Sequence, residues 1–211
     1  MNHQELINDK ITMVDDPRFR MMLKIADEVH QLTGDIVECG VWKGGCSIFL
    51  SKIFEEKNIW VCDSFSGFQD PKDGKYFYKQ ERHLKGELSI SLEEVKSNFN
   101  KYNAIRDGVY FLEGYVKDTL NPKTCPIKTI SLLRIDVDAY SATLEVLDSL
   151  YDKVVDGGYV IFDDSCLIEA HEAIKTFFTN KKMSYVVDPV THENINIFES
   201  SSLPCGCYFK K

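Results

Sequence analysis

The sequence predicts an α/β protein, a mostly parallel sheet with helices on both faces. Two observations carry this. Strand-like and helix-like segments alternate from residue 35 to residue 178, the pattern of a parallel sheet joined by crossover helices. The four strand-like runs closing at Cys39, Cys62, Ile135 and Phe162 are each followed at once by glycine or aspartate, which places ligand-capable residues at one edge of that sheet.

The elements follow in order. Pro17 to Leu32 reads as a helix, with Asp15 or Asp16 as N-cap, proline in its first turn and Gly34 beyond its end. Asp35 to Cys39 is a short buried strand running into Gly40. Ser47 to Phe54 is a helix, and Ile59 to Cys62 is the second strand, stopped by Asp63. Residues 66–88 break the rhythm, being rich in Gly, Lys, Asp and aromatics without a clean period, and such a long insertion reads as a lid over the site or as a plain surface insertion. Ser91 to Tyr102 is a helix with Ser91 and Glu94 in capping-box register. Val109 to Leu112 and Ile130 to Ile135 are strands, Ala142 to Val154 a helix, and Asp156-Gly157-Gly158 a turn. Tyr159 to Phe162 is a strand and Glu169 to Phe178 a helix. Ser184 to Val187 and Ile195 to Glu199 form a terminal antiparallel hairpin. The chain is expected to be one domain, residues 1–211, with the helix in residues 1–33 capping the cofactor pocket or making a subunit contact.

Composition narrows the function. There are 33 acidic residues against 25 basic, a net charge of −8. Such a surface repels a phosphate backbone, so nucleic acid is not an expected partner, and a neutral or cationic small molecule fits better. No apolar stretch approaches the roughly 20 residues that cross a bilayer, and the N-terminus has no signal-peptide character. The seven cysteines are odd in number and scattered, the pattern of reduced thiols in a cytoplasmic protein. Cys205-Gly206-Cys207 has no second Cys or His pair at zinc spacing, and His30, His83, His171 and His192 show no ligand spacing; His83, inside the insertion, is the one that could titrate at a site.

Three motifs carry the chemistry. Glu38-Cys39-Gly40-Val41-Trp42-Lys43-Gly44-Gly45 lies between the first strand and the next helix, where parallel sheets bind ligands. The dinucleotide fingerprint G-x-G-x-x-G is absent, since position 42 is Trp, and Glu38 would repel a pyrophosphate but suit a cationic amino group. Asp63-Ser64-Phe65 ends the second strand. An acid about 20 positions beyond a glycine turn is placed to accept from ribose hydroxyls, and Phe65 could stack on an adenine or serve the core. Together Glu38, Gly40, Trp42, Gly44, Gly45, Asp63, Ser64 and Phe65, with Gly114 after the third strand, describe a nucleoside carrying an amino acid and no phosphate, which is S-adenosylmethionine. The third motif is acidic. Asp136 and Asp138 end one strand and Asp163 and Asp164 another, and a strand–helix–strand unit of about 30 residues would bring them together. Clustered carboxylates repel unless a cation or proton joins them, and oxygen ligands favour Mg²⁺ or Mn²⁺. The plain alternative is helix capping by Asp138 or Ser141 and by Asp164 or Ser165.

These motifs, with Lys117-Asp118-Thr119-Leu120, stand in the order of the macrocin O-methyltransferase (TylF-like) family of class I methyltransferases, which the chain resembles from about Gly34 to about Phe178. The resemblance implies a Rossmann-like, seven-stranded sheet with an antiparallel last strand. It also implies methyl transfer to a sugar hydroxyl of a natural product, with Mg²⁺ held at Asp136, Asp163 and Asp164 and Asp136 able to act as base. Val137 stands where the family usually has Gly, Ser165 where it has Tyr, and the N-terminus is shorter than in relatives. In the expected mechanism the metal acidifies the acceptor hydroxyl, and Asp136 or Asp138 takes its proton. The partner is a small-molecule hydroxyl acceptor, and self-association as a homo-oligomer is compatible with it. Two other classes fit parts of the pattern: a glycosyltransferase using Asp136-Val137-Asp138 as a D-x-D motif, and a non-catalytic interaction module.

Overall fold

The computed structural model describes residues 2–121, 124–179, 181 and 183–211. Its centre is one eight-stranded sheet, built from β1 (Asp35–Cys39), β2 (Ile59–Asp63), β3 (Val109–Glu113), β4 (Ile130–Ile135), β5 (Val154–Phe162), β6 (Tyr185–Val187), β7 (Asn194–Asn196) and β8 (Cys207–Lys210). The strand order is β3-β2-β1-β4-β5-β8-β6-β7. The first five strands run parallel, and β8 pairs antiparallel with β5 and with β6. The α/β class and the antiparallel end of the sheet are as the sequence predicts.

The count differs by one strand. The 184–187 and 195–199 segments do pair with each other, as β6 and β7, but it is β8 that joins the parallel sheet. β8 lies at the chain's end, and its pairing with β5 depends on contacts far apart in sequence. β5 is also longer than expected. The helix ends at Leu150, and the chain resumes as a strand at Val154, with Gly157 and Gly158 absorbed into the strand where its register with β4 shifts.

Helices cover both faces. α2 (Asp16–Gln31), α3 (Gly45–Ile53) and α4 (Leu92–Lys101) bury Phe19, Met22, Ile48, Phe49, Val95 and Phe99 against one face. α6 (Tyr140–Leu150) and α7 (Ile168–Phe178) bury Val146, Leu147, Ile174 and Phe178 against the other. Asp15 caps α2 by accepting from the Arg18 N–H, with Pro17 in the first turn, and Ser91 caps α4 by accepting from the Glu94 N–H. Two short helices that the sequence pattern does not reveal are α1 (His3–Asn8) and α5 (Val116–Thr119). Among the described residues no helix is long and apolar enough to cross a membrane.

The expectation of seven free thiols is corrected. Cys166 and Cys205 form a disulfide that ties the loop after β5 to the approach to β8, with Cα atoms 4.7 Å apart. The two lie 39 residues apart in sequence, and only the fold brings them together. The remaining five cysteines are free and buried.

Strand register sets the site. Cys62, Cys39, Ile135 and Phe162 lie side by side across β2, β1, β4 and β5. The residues after them, Asp63, Gly40, Asp136 and Asp163, therefore form one row at the carboxyl edge. This edge includes the point where successive strands turn from one side of β1 to the other, the place where open α/β sheets bind ligands.

Candidate functional site

Gly40 shows how tightly that row is drawn. A Cβ there would sit 1.6 Å from the Asp136 carbonyl oxygen, and the residue's φ is +82°. Only glycine fits between the ends of β1 and β4. Its N–H donates to the Cys62 carbonyl, and the Asp136 N–H donates to that of Cys39, so the strand ends are locked together. Three non-glycine residues beside the row, Trp42, Phe65 and Asp138, also adopt positive φ. Such conformations persist where the surroundings over-determine them, often at functional sites.

A cleft of about 1050 Å³, its open mouth included, lies over this edge. Gly40, Trp42, Asp63, Ser64, Gly114, Asp136 and Asp138 line it. Asp63 uses one oxygen to accept from the Val41 N–H at 2.7 Å and the other to accept from the Phe65 N–H at 2.8 Å. It thereby ties the loop after β1 to the loop after β2, on the floor of the cleft.

Four of the expected cofactor residues lie elsewhere. Glu38 is 1% exposed, pairs with Arg134 and accepts from the Ser47 hydroxyl, so it is not a free carboxylate waiting for a cationic amino group. Burial raises its pKa, against the pull of Arg134 and Ser47. Phe65 packs into the core rather than offering a face to an adenine. Gly44 is pressed against Val95 and Phe99, and the Gly45 N–H donates to the Ile11 carbonyl. These two glycines admit α4 and the N-terminal segment, not a ligand.

The acidic motif does converge. Carboxylate oxygens of Asp136, Asp163 and Asp164 lie within 4.8 Å of one another. Capping does not explain the acids. The N-caps of α6 and α7 are Ala139 and Leu167, and neither makes a side-chain cap bond. The Asp138 N–H instead donates to Asp164 at 2.8 Å, and the Ser165 hydroxyl donates to the Phe162 and Pro204 carbonyls.

Two arginines that the sequence reading did not single out share this cluster. Arg134, the penultimate residue of β4 and 1% exposed, pairs with Glu38, with Asp136 at 2.7 Å and with Asp163 at 2.5 Å. Arg18 of α2 pairs with the other oxygen of Asp163 at 2.5 Å. The signal for Arg134 was available: one charge inside an otherwise uncharged strand needs a buried partner. Arg18 had no such signal, because only the fold sets α2 against the end of β5.

Two arginines do not balance Glu38, Asp136, Asp138, Asp163 and Asp164. The imbalance shows in the acids. The Asp136 carboxyl is pushed up to about 7, by burial first and by Asp163, Asp138 and Glu38 against the pull of Arg134. Asp164 is held well above the usual carboxylate range by burial and by Asp136, Asp138 and Asp163, and burial also raises Asp138. An oxygen-only donor set short of positive charge fits a hard divalent cation. A second grouping, Glu81, His83 and Glu169, is less open, because Arg82 grips Glu169 through both carboxylate oxygens at 2.6 and 2.9 Å.

The 66–88 segment lies over the cleft. The Lys75 N–H donates to Glu145, the Tyr76 N–H donates to the Ser141 hydroxyl, and Glu81 accepts from the Tyr140 N–H. Phe68 stacks on His83 and Tyr78 on Tyr140, with ring centroids 4.3 and 4.7 Å apart.

The family model for macrocin O-methyltransferase (TylF) matches residues 7–196. The chain is 39% identical over 163 residues to demethyldecarbamoylnovobiocin O-methyltransferase of Streptomyces niveus, covering 72% of this chain and 62% of that protein. It is 36% identical to mycinamicin III 3''-O-methyltransferase of Micromonospora griseorubida, covering 68% of this chain and 60% of that one. It thus spans about three fifths of the length of these curated relatives. Among solved structures, the O-methyltransferase NovP superposes with a TM-score of 0.80 at 31% identity, over 95% of this chain and 81% of that one.

Proposed function

The chain belongs to the macrocin O-methyltransferase (TylF) family, and on that premise we propose that it moves a methyl group from S-adenosylmethionine to a hydroxyl of a small molecule, a sugar or glycosylated natural product. The observation that carries the reading is the cleft itself. It holds Gly40, Asp63 and Asp136 in one row, and among the described residues six that line it are carboxylates while none is Lys or Arg. That lining suits a sulfonium cofactor and repels the diphosphate that a D-x-D glycosyltransferase needs.

On this reading the loop from Gly40 to Trp42, with Asp63, Ser64 and Gly114, holds the cofactor. Asp136, Asp163 and Asp164 would hold Mg²⁺ or Mn²⁺. The cation, when bound, would supply the charge that eases loss of the hydroxyl proton. Asp136 or Asp138 accepts that proton, and the acceptor oxygen displaces S-adenosylhomocysteine from the methyl carbon. Arg18 and Arg134 fix the Asp163 carboxylate from two sides, and Arg134 also orients Asp136. Holding the acceptor oxygen in line with the sulfonium methyl contributes up to roughly 7–11 kcal/mol. Residues 66–88 act as the lid that shuts out water.

The test is transfer of labelled methyl from S-adenosylmethionine to a glycosylated acceptor. Activity should vanish in chelator and return with Mg²⁺ or Mn²⁺; undiminished activity in chelator would remove the metal from the account. Asp63→Ala should weaken S-adenosylhomocysteine at least tenfold in calorimetry, since a lost charge-assisted hydrogen bond is worth about 1.5–3 kcal/mol. Unchanged affinity would take Asp63 out of the cofactor site. Amides of residues 66–88 should exchange more slowly once a glycoside acceptor that the enzyme methylates is bound, and equal exchange in both states would make the segment a fixed insertion.

A further inference from the structure

Among the described residues, buried side-chain oxygen and nitrogen atoms without a hydrogen-bond partner fall into two groups. Outside the cleft they belong to two arginines, Arg106 and Arg134, and Arg134 is ion-paired with Asp163. The other four are Gln69 Oε1, Glu81 Oε1, His83 Nε2 and Glu145 Oε2, and all four of these residues line the cleft. Three of the four atoms can only accept a hydrogen bond, and the fourth can accept in one tautomer.

All four come from the 66–88 segment or from α6, not from the loops after β1, β2 and β3 that face the proposed cofactor. Glu145 is 2% exposed. Its Oε1 accepts from the Lys75 N–H and the Ser141 hydroxyl, both at 2.8 Å, while Oε2 has no partner. Gln69 is beside it, since a Cβ on Gly74 would lie 2.6 Å from the Ser141 Oγ and 3.4 Å from the Gln69 Nε2. Glu81 accepts through its other oxygen from the Tyr140 N–H, its side chain is 8% exposed, and its bare Oε1 is 3.9 Å from the bare His83 Nε2. Phe68, Tyr76 and Tyr78 line the same cleft and offer apolar faces.

Buried acceptors left unmatched are costly, and a ligand that donates to them recovers that cost. We propose that Gln69, Glu81, His83 and Glu145 form the subsite for the methyl acceptor and select a ring that carries several hydroxyl or ammonium donors and no anionic group. The proposal rests on the methyl-transfer reading and refines its substrate class. Among the described residues no Lys or Arg lines the cleft, which acts in the same direction, because a carboxylate or phosphate on the ring would find no Lys or Arg to pair with and six carboxylates to repel it.

Three probes on one ring test it: methyl glucoside, glucosamine and glucuronate, titrated by ligand-observed NMR into full-length protein saturated with S-adenosylhomocysteine. Methyl glucoside and glucosamine should bind at least tenfold tighter than glucuronate. In the Glu81→Gln/Glu145→Gln variant, which keeps the hydrogen bonds that these side chains accept, the gap should close to less than threefold. Loss confined to glucosamine would identify ammonium as the favoured donor, and loss of both ligands would identify hydroxyls. Gln69→Leu, a change in the covering segment alone, should weaken methyl glucoside at least threefold and provides a second check should the double variant not fold. Glucuronate binding as tightly as methyl glucoside, an unchanged gap in the double variant, or binding of none of the three would overturn the proposal. Calorimetry with S-adenosylhomocysteine separates the two readings: a parent protein that binds it but shows no gap loses only this subsite.

Discussion

Replacing Asp136 by Asn should lower methyl transfer by roughly 10²–10⁴-fold, the worth of a positioned proton acceptor, while S-adenosylhomocysteine still binds. Asn keeps the shape of the side chain and removes its charge. It therefore removes a proposed metal ligand and a proposed base together, but leaves the Gly40 contact, which involves only the Asp136 backbone. Single-turnover measurement at saturating cofactor isolates the chemical step. Asp138→Asn is the informative companion. Asp138 makes no helix cap and faces the cleft, so its loss should appear in the rate and not in the melting temperature. A parental rate for Asp136→Asn would show that the acidic cluster is structural and that the chemistry lies elsewhere.

The largest expected effect on stability is at Arg134. Its guanidinium is buried among Glu38, Asp136 and Asp163. Arg134→Ala leaves three carboxylates facing one another with Arg18 as the remaining strong cation at Asp163. Removing one partner of a buried ionic network costs about 3–5 kcal/mol. For a chain of this size, each kcal/mol shifts the melting temperature by about 2–4 °C, so a fall of about 6–20 °C is expected in calorimetry. A fall below about 2 °C would show that the carboxylates take up protons at little cost and that Arg134 is not what holds them.

What could be read from the sequence was the edge of the sheet, more than the direction in which each side chain points. The runs that end in Gly40, Asp63, Asp136 and Asp163 were legible because buried parallel strands stop abruptly at polar residues. Glu38 was misjudged for a related reason. It lies one residue before the strand's end, where side chains alternate between faces, and it turns into the helix layer beside Arg134 in register on β4. Gly44 and Gly45 sat in a ligand-binding context, yet the space beside them is taken by α4 and by Ile11, contacts between segments far apart in sequence. Phe65 carried two readings, and packing selected the core. The Cys166–Cys205 bond, the β8 strand and the Arg18–Asp163 pair share one property: each joins parts of the chain that no local pattern connects. The four bare acceptors in the cleft belong to the same class, since nothing in a sequence shows which polar atoms burial leaves without a partner.

Calorimetric titration of S-adenosylhomocysteine, set against a nucleotide-sugar, decides which cofactor the cleft holds. S-adenosylhomocysteine should bind at micromolar affinity without added metal, and the nucleotide-sugar should show no measurable binding with or without Mn²⁺. Binding of the nucleotide-sugar alone would contradict the methyl-transfer reading, and would pass the cleft and its carboxylates to a different reaction.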